Sequence, residues 1–133
     1  MSPHPKQLEV ECPEDCGNSP KKKFLREFIV ALAKNDIEFC TEWVKEDVVW
    51  EIAGGKKIQG KEEFAQALQN AVFQKIGRLS IENIITHGNA GSVNGRGFYS
   101  DERSAAFCHV FQFSGFGKKA KIKSMTSYII FSD

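Results

Sequence analysis

The feature that most limits what this chain can fold into is the run of four β-rich stretches in its second half. They span residues 78–87, 92–100, 104–113 and 121–131, parted by Gly-rich or polar turns. Strands that follow one another through short turns pair as antiparallel neighbours, because parallel pairing needs a long crossover. Every helix must then come from the first half, and the chain must gather those helices on one face of a bent sheet.

The first half supplies them. Ser19 suits a helix N-cap and Pro20 the first helical position, where its missing N–H costs nothing. Phe24, Phe28 and Leu32 then recur every four residues with Leu25 and Ile29 beside them, which predicts an apolar stripe ending near Asn35. Asp36 can cap a second, short helix whose Ile37, Cys40, Trp43 and Val44 share a face. Residues 47–53 read as a strand running into Gly54 and Gly55, with 57–59 as its partner. From Lys61 the repeat Phe64, Leu68, Val72, with Ala65 and Ala71 alongside, predicts a third helix ending near Gly77. Residues 1–18, with Pro3, Pro5, Pro13 and Gly17, read as a flexible N-terminal arm, leaving 19–133 as one domain. The expected class is α+β, in the order ααβ(β)αββββ.

Charge and length exclude several functions. The 133 residues suffice for one core, and 18 Lys plus Arg against 17 Asp plus Glu give no field that attracts nucleic acid or anionic lipid. No apolar run reaches the roughly 20 residues of a membrane helix, and residues 1–10 lack the apolar stretch of a secretory signal, so a cytoplasmic location is expected. Cys12 and Cys16 alone are too few for a metal centre, which normally takes four ligands, and read as exposed thiols on the arm. With no Gly-rich phosphate loop or ligand cluster either, neither cofactor nor metal is implied.

Four strings stand out in this order of elements: Asn35-Asp-Ile-Glu38, Val48-Val-Trp-Glu-Ile-Ala-Gly54 followed by Gly60, Phe111-Gln-Phe-Ser-Gly115, and Lys123-Ser-Met125. Together they resemble the nuclear transport factor 2-like superfamily, in its SnoaL-like and ketosteroid isomerase-like branch. The resemblance covers about residues 20–131. It implies a cone in which helices and a strongly curved, mainly antiparallel sheet enclose an apolar pocket. It also implies a homodimer through the outer sheet face, and a small apolar molecule as the pocket's ligand. Isomerase, cyclase and hydrolase chemistries all occur on this fold, as does plain ligand or partner binding.

Candidate pocket residues follow from alternation and from the resemblance together. Residues 105, 107, 109, 111 and 113 share one strand face, so His109 stands in a row of Ala105, Phe107, Phe111 and Phe113. It is either a buried, hydrogen-bonded histidine or a polar group aimed into a cavity. The resemblance places it where ketosteroid isomerases carry an oxyanion-hole acid, and an imidazole there can donate a hydrogen bond or transfer a proton. Glu51 is the candidate proton-transfer partner. The isomerase base matches either Glu51 or Ile52, and in the second case the base is absent. Phe28 falls where those isomerases carry a tyrosine and cannot donate a hydrogen bond, so steroid isomerisation by their mechanism is not expected. Phe28, Trp50, Phe107, Phe111 and Tyr128 are the expected ligand-binding side chains.

Overall fold

A computed structural model describes residues 8–13, 19–70, 76–99, 102–115 and 119–132. The elements are β1 (Glu9–Glu11), α1 (Pro20–Lys34), α2 (Ile37–Glu42), β2 (Val44–Ile52), β3 (Lys57–Gln59), α3 (Lys61–Gln69), β4 (Ile76–His87), β5 (Ala90–Tyr99), β6 (Ser104–Phe113) and β7 (Ile122–Ser132).

The helix ends are made by the expected capping groups. The Ser19 hydroxyl accepts from the backbone N–H of Lys22 at 3.2 Å, and Pro20 opens α1. Asn35 closes it in the left-handed region at φ 60°, a conformation asparagine tolerates better than most residues. The Asp36 carboxylate then accepts from the N–H of Phe39 and starts α2 without a linker. Val72 and Ala71, expected on α3, lie outside the described residues.

All seven strands form one sheet in the order β1-β4-β5-β6-β7-β2-β3. From β4 to β7 it is the antiparallel meander that the turns imply. Two pairings are parallel: β2 against β7, and β1 against β4. The second departs from the sequence reading, while the first is compatible with a mainly antiparallel sheet. Residues 9–11, expected within an arm, add an edge strand, and the β2 strand begins at Val44 rather than Asp47. Cys12, expected as an exposed thiol, is half-buried and disulfide-bonded, whereas Cys40 and Cys108 are free. Cys16 lies outside the described residues.

The core fills the space between the helices and the inner sheet face. Leu25, Phe28 and Ile29 of α1 and Phe64 and Leu68 of α3 meet Leu79, Ile81, Val93, Phe111, Phe113 and Met125 there, all fully or nearly fully buried. Close approach of α1 depends on a missing side chain: a Cβ on Gly91 would stand 2.8 Å from the Leu25 Cδ1. Register shifts between Ile76 and Arg78, and between Ile81 and Asn83, bend β4 and contribute to the curvature of the sheet. Among the described residues no helix is long and apolar enough to cross a membrane.

Candidate functional site

At the concave face, between α1 and strands β2 and β4 to β7, the inner surface leaves a cavity of about 60 Å³. Its floor is formed by buried Ile29, Trp50, Leu79, Ala105 and His109. Its rim is formed by half-buried Leu32, Ala33, Ile76, Tyr99, Phe107 and Ile129. Gly97 belongs to the lining, and a Cβ there would reach to 2.9 Å from the Ile76 side chain, so the space depends on this glycine. An apolar cavity that takes up benzene measures about 150 Å³. The space here admits a group of a few heavy atoms, with the rest of any larger molecule lying against the rim.

Strand alternation sets His109 on the inner face of β6, 8% exposed, with its ring 5.1 Å from that of Phe107 and 6.3 Å from that of Phe111. Its Nδ1 lies 2.7 Å from the hydroxyl of Ser127, directly across the β6–β7 ladder. The same hydroxyl accepts from the indole N–H of Trp50 at 2.8 Å. Three inner-face groups from three adjacent strands are thereby linked through one oxygen. Nε2 of His109 has no hydrogen-bond partner among the described residues. Burial pushes the imidazole pKa down from its ordinary 6.5 to about 4, so the ring is neutral at physiological pH.

The remaining expected residues divide between the cavity and other places. Trp50 and Phe107 line the cavity with His109. Phe28 and Phe111 do not; both are fully buried core rings packed edge to face at 5.8 Å. Tyr128, 50% exposed, points from the opposite face of β7. Glu51 also turns outward and is exposed, because the alternation that brings Val48 and Trp50 inward excludes it. The inner-face neighbour of Trp50 on that strand is Ile52, which has no proton to transfer. No carboxylate lines the cavity among the described residues, and His109 and Glu51 do not form a pair.

Ser127 was not singled out from sequence, although a signal was present. Alternation in β7 places it between Met125 and Ile129 on the apolar inner face, where a buried hydroxyl must find a partner. Tyr99 forms part of the rim, stacked on Phe131 with the Arg103 guanidinium 5.2 Å from its ring centroid. The Cys40 thiol, pushed up to about 12 by burial and then by the Asp36 charge, is an inert core group.

A family model described as a SnoaL-like domain matches residues 25–122. The fold is similar to an NTF2-like protein of unknown function from Cytophaga hutchinsonii ATCC 33406, at 18% identity and TM-score 0.64, covering 81% of this chain and 97% of that one. It is also similar to an NTF-2 like protein of unknown function from Burkholderia xenovorans LB400, at 20% identity and TM-score 0.69, covering 86% and 84%. A de novo designed protein with a curved β-sheet superposes equally well, at 16% identity and TM-score 0.69, covering 84% and 85%. Shape at these identities speaks for the fold alone, since a designed chain attains it too. None of the curated proteins matches the sequence.

Proposed function

This chain belongs to the SnoaL-like domain family, and from that premise we propose that it holds a small, largely apolar molecule in the cavity beneath α1, oriented by Nε2 of His109. The observation that carries the reading is the pairing of an apolar lining with His109, whose Nε2 has no hydrogen-bond partner among the described residues. Apolar walls contribute affinity in proportion to the area they remove from water, and one polar group fixes orientation. Two-group proton transfer receives no support, because Glu51 lies outside the cavity and an imidazole with pKa about 4 is a weak base at neutral pH. Binding without turnover is the preferred reading of the site.

A thermal-shift screen of small apolar ketones, acids and polyketide-like compounds tests it, because a ligand at 100 times its Kd stabilises by about 2.7 kcal/mol. A hit retained by wild type and lost in Gly97→Val, which fills the cavity from the side away from His109, places the ligand there. No stabilisation by any compound would refute the reading.

The outer sheet face supports a second proposal, a symmetric homodimer. Val110, Tyr128 and Ile130 stand 37%, 50% and 71% exposed there, flanked by small or polar Ser92, Asn94, Ala106 and Thr126 in the cross-strand rows. An exposed apolar patch of this kind suits burial against a second copy across a two-fold axis. Sedimentation at micromolar concentration is expected to give twice the mass of one chain, and Ile130→Glu to halve it; a monomeric wild type would dispose of the dimer.

A further inference from the structure

The proton inventory of the Trp50–Ser127–His109 chain fixes which kind of ligand the cavity accepts. An indole N–H only donates, so the bond from Trp50 occupies one lone pair of the Ser127 oxygen. One proton then lies between that oxygen and Nδ1 of His109, 2.7 Å away. If Nδ1 owned it, the serine would accept two bonds and its own proton would need a third partner. Ser127 is completely buried and has no other side-chain partner among the described residues. The arrangement that strands no buried proton is therefore the other one, with the serine O–H donating to Nδ1.

We infer that Ser127, itself held by Trp50, is a positioning residue that locks His109 in its Nε2–H tautomer, so that the cavity presents a hydrogen-bond donor and selects apolar molecules carrying an acceptor such as a carbonyl. This rests on the proposed ligand-binding role of the same cavity and adds its chemical selectivity. A molecule offering only a donor would set two N–H groups against each other with neither of them paired. His109 is one of the buried floor residues and the half-buried side chains form the rim, so the acceptor enters first and the apolar remainder stays outermost.

Three five-membered rings of similar size separate the possibilities: cyclopentanone as acceptor, pyrrole as donor, and cyclopentene as neither. Their binding is followed at pH 7.5 through the shifts of the Trp50 indole N–H, alongside a long-range proton–nitrogen correlation spectrum of the His109 ring. The expected results are a ring protonated at Nε2 alone in the free protein, and cyclopentanone binding about tenfold more tightly than pyrrole, as one well-placed neutral hydrogen bond allows. Ser127→Ala is expected to mix the tautomers and erase the ketone preference, while Ser127→Thr, which keeps the hydroxyl, restores both. A ring protonated at Nδ1, or equal binding of ketone and pyrrole, overturns the lock yet leaves the cavity a binding site. Failure of all three rings to bind overturns the selectivity together with the binding role on which it rests. The wild-type spectrum bears on the tautomer even if Ser127→Ala does not fold.

Discussion

Acid should weaken this protein through His109, in a pH window that the folded structure defines. The unfolded chain binds a proton at the ordinary histidine pKa of 6.5, whereas burial in the folded state lowers it to about 4. Between these values the unfolded state holds more protons, so stability rises with pH across the window and falls as the pH drops through it. Above 6.5 both states are neutral and the contribution is flat. The full interval corresponds to about 3 kcal/mol, and the part between pH 6.5 and 5, which lies above the main carboxylate range, to about 2 kcal/mol. Urea unfolding of wild type and His109→Gln at half-unit steps from pH 7.5 to 5 isolates it. Wild type is expected to lose about 1–2 M of its urea midpoint over the lower part of that range, at a typical slope for a small domain, and the variant to lose none of that portion. Parallel pH curves for the two proteins would refute the claim that His109 is buried neutral beside Ser127.

Other substitutions test the remaining placements. Phe28→Ala and Phe111→Ala are each expected to cost about 3–5 kcal/mol in chemical unfolding, and the double variant less than the sum, because the two rings pack on each other. Gly95→Ala is expected to cost at least about 3 kcal/mol or abolish soluble expression, since its Cβ would collide with the backbone carbonyl of Ser80, which cannot move as a side chain can. Glu51→Ala is expected to change stability by no more than about 0.5 kcal/mol and to leave every ligand-induced thermal shift unchanged, because the residue is exposed on the face away from the cavity.

Local chemistry made much of the fold legible. Ser19 and Asp36 announce helix starts by oxygens that satisfy free backbone N–H donors, and Pro20 by having no N–H to satisfy; the structure uses the Ser19 and Asp36 oxygens in that way. Strand β6 coincides with residues 104–113 because its alternation is unbroken. Strand β1 was hidden because three residues carry no periodicity, and its pairing with β4, Glu9 opposite Arg78, is made across 69 residues of sequence. Val44 misled for a related reason: it continues the apolar face of α2 in helical spacing and also begins β2, and tertiary pairing to Ile122 decides the matter.

The site divided in the same way. His109 and Trp50 could be found because each interrupts or enlarges an apolar row within its own strand, but their connection passes through Ser127, 77 residues from Trp50 and 18 from His109. That meeting requires β2 to lie parallel to β7, which nothing in the local pattern of either strand specifies. Glu51 shows the converse limit, since alternation alone put it opposite Trp50 and only resemblance recommended it as a base. The buried polar chain also carries a thermodynamic argument. Replacing both members of a buried hydrogen bond by apolar groups of the same shape is nearly neutral, so a core selected for stability alone has no use for an imidazole that makes the fold acid-sensitive by about 3 kcal/mol. What a phenyl ring at position 109 could not supply is Nε2, a ring nitrogen with no hydrogen-bond partner among the described residues, and that is the atom through which a ligand would be held.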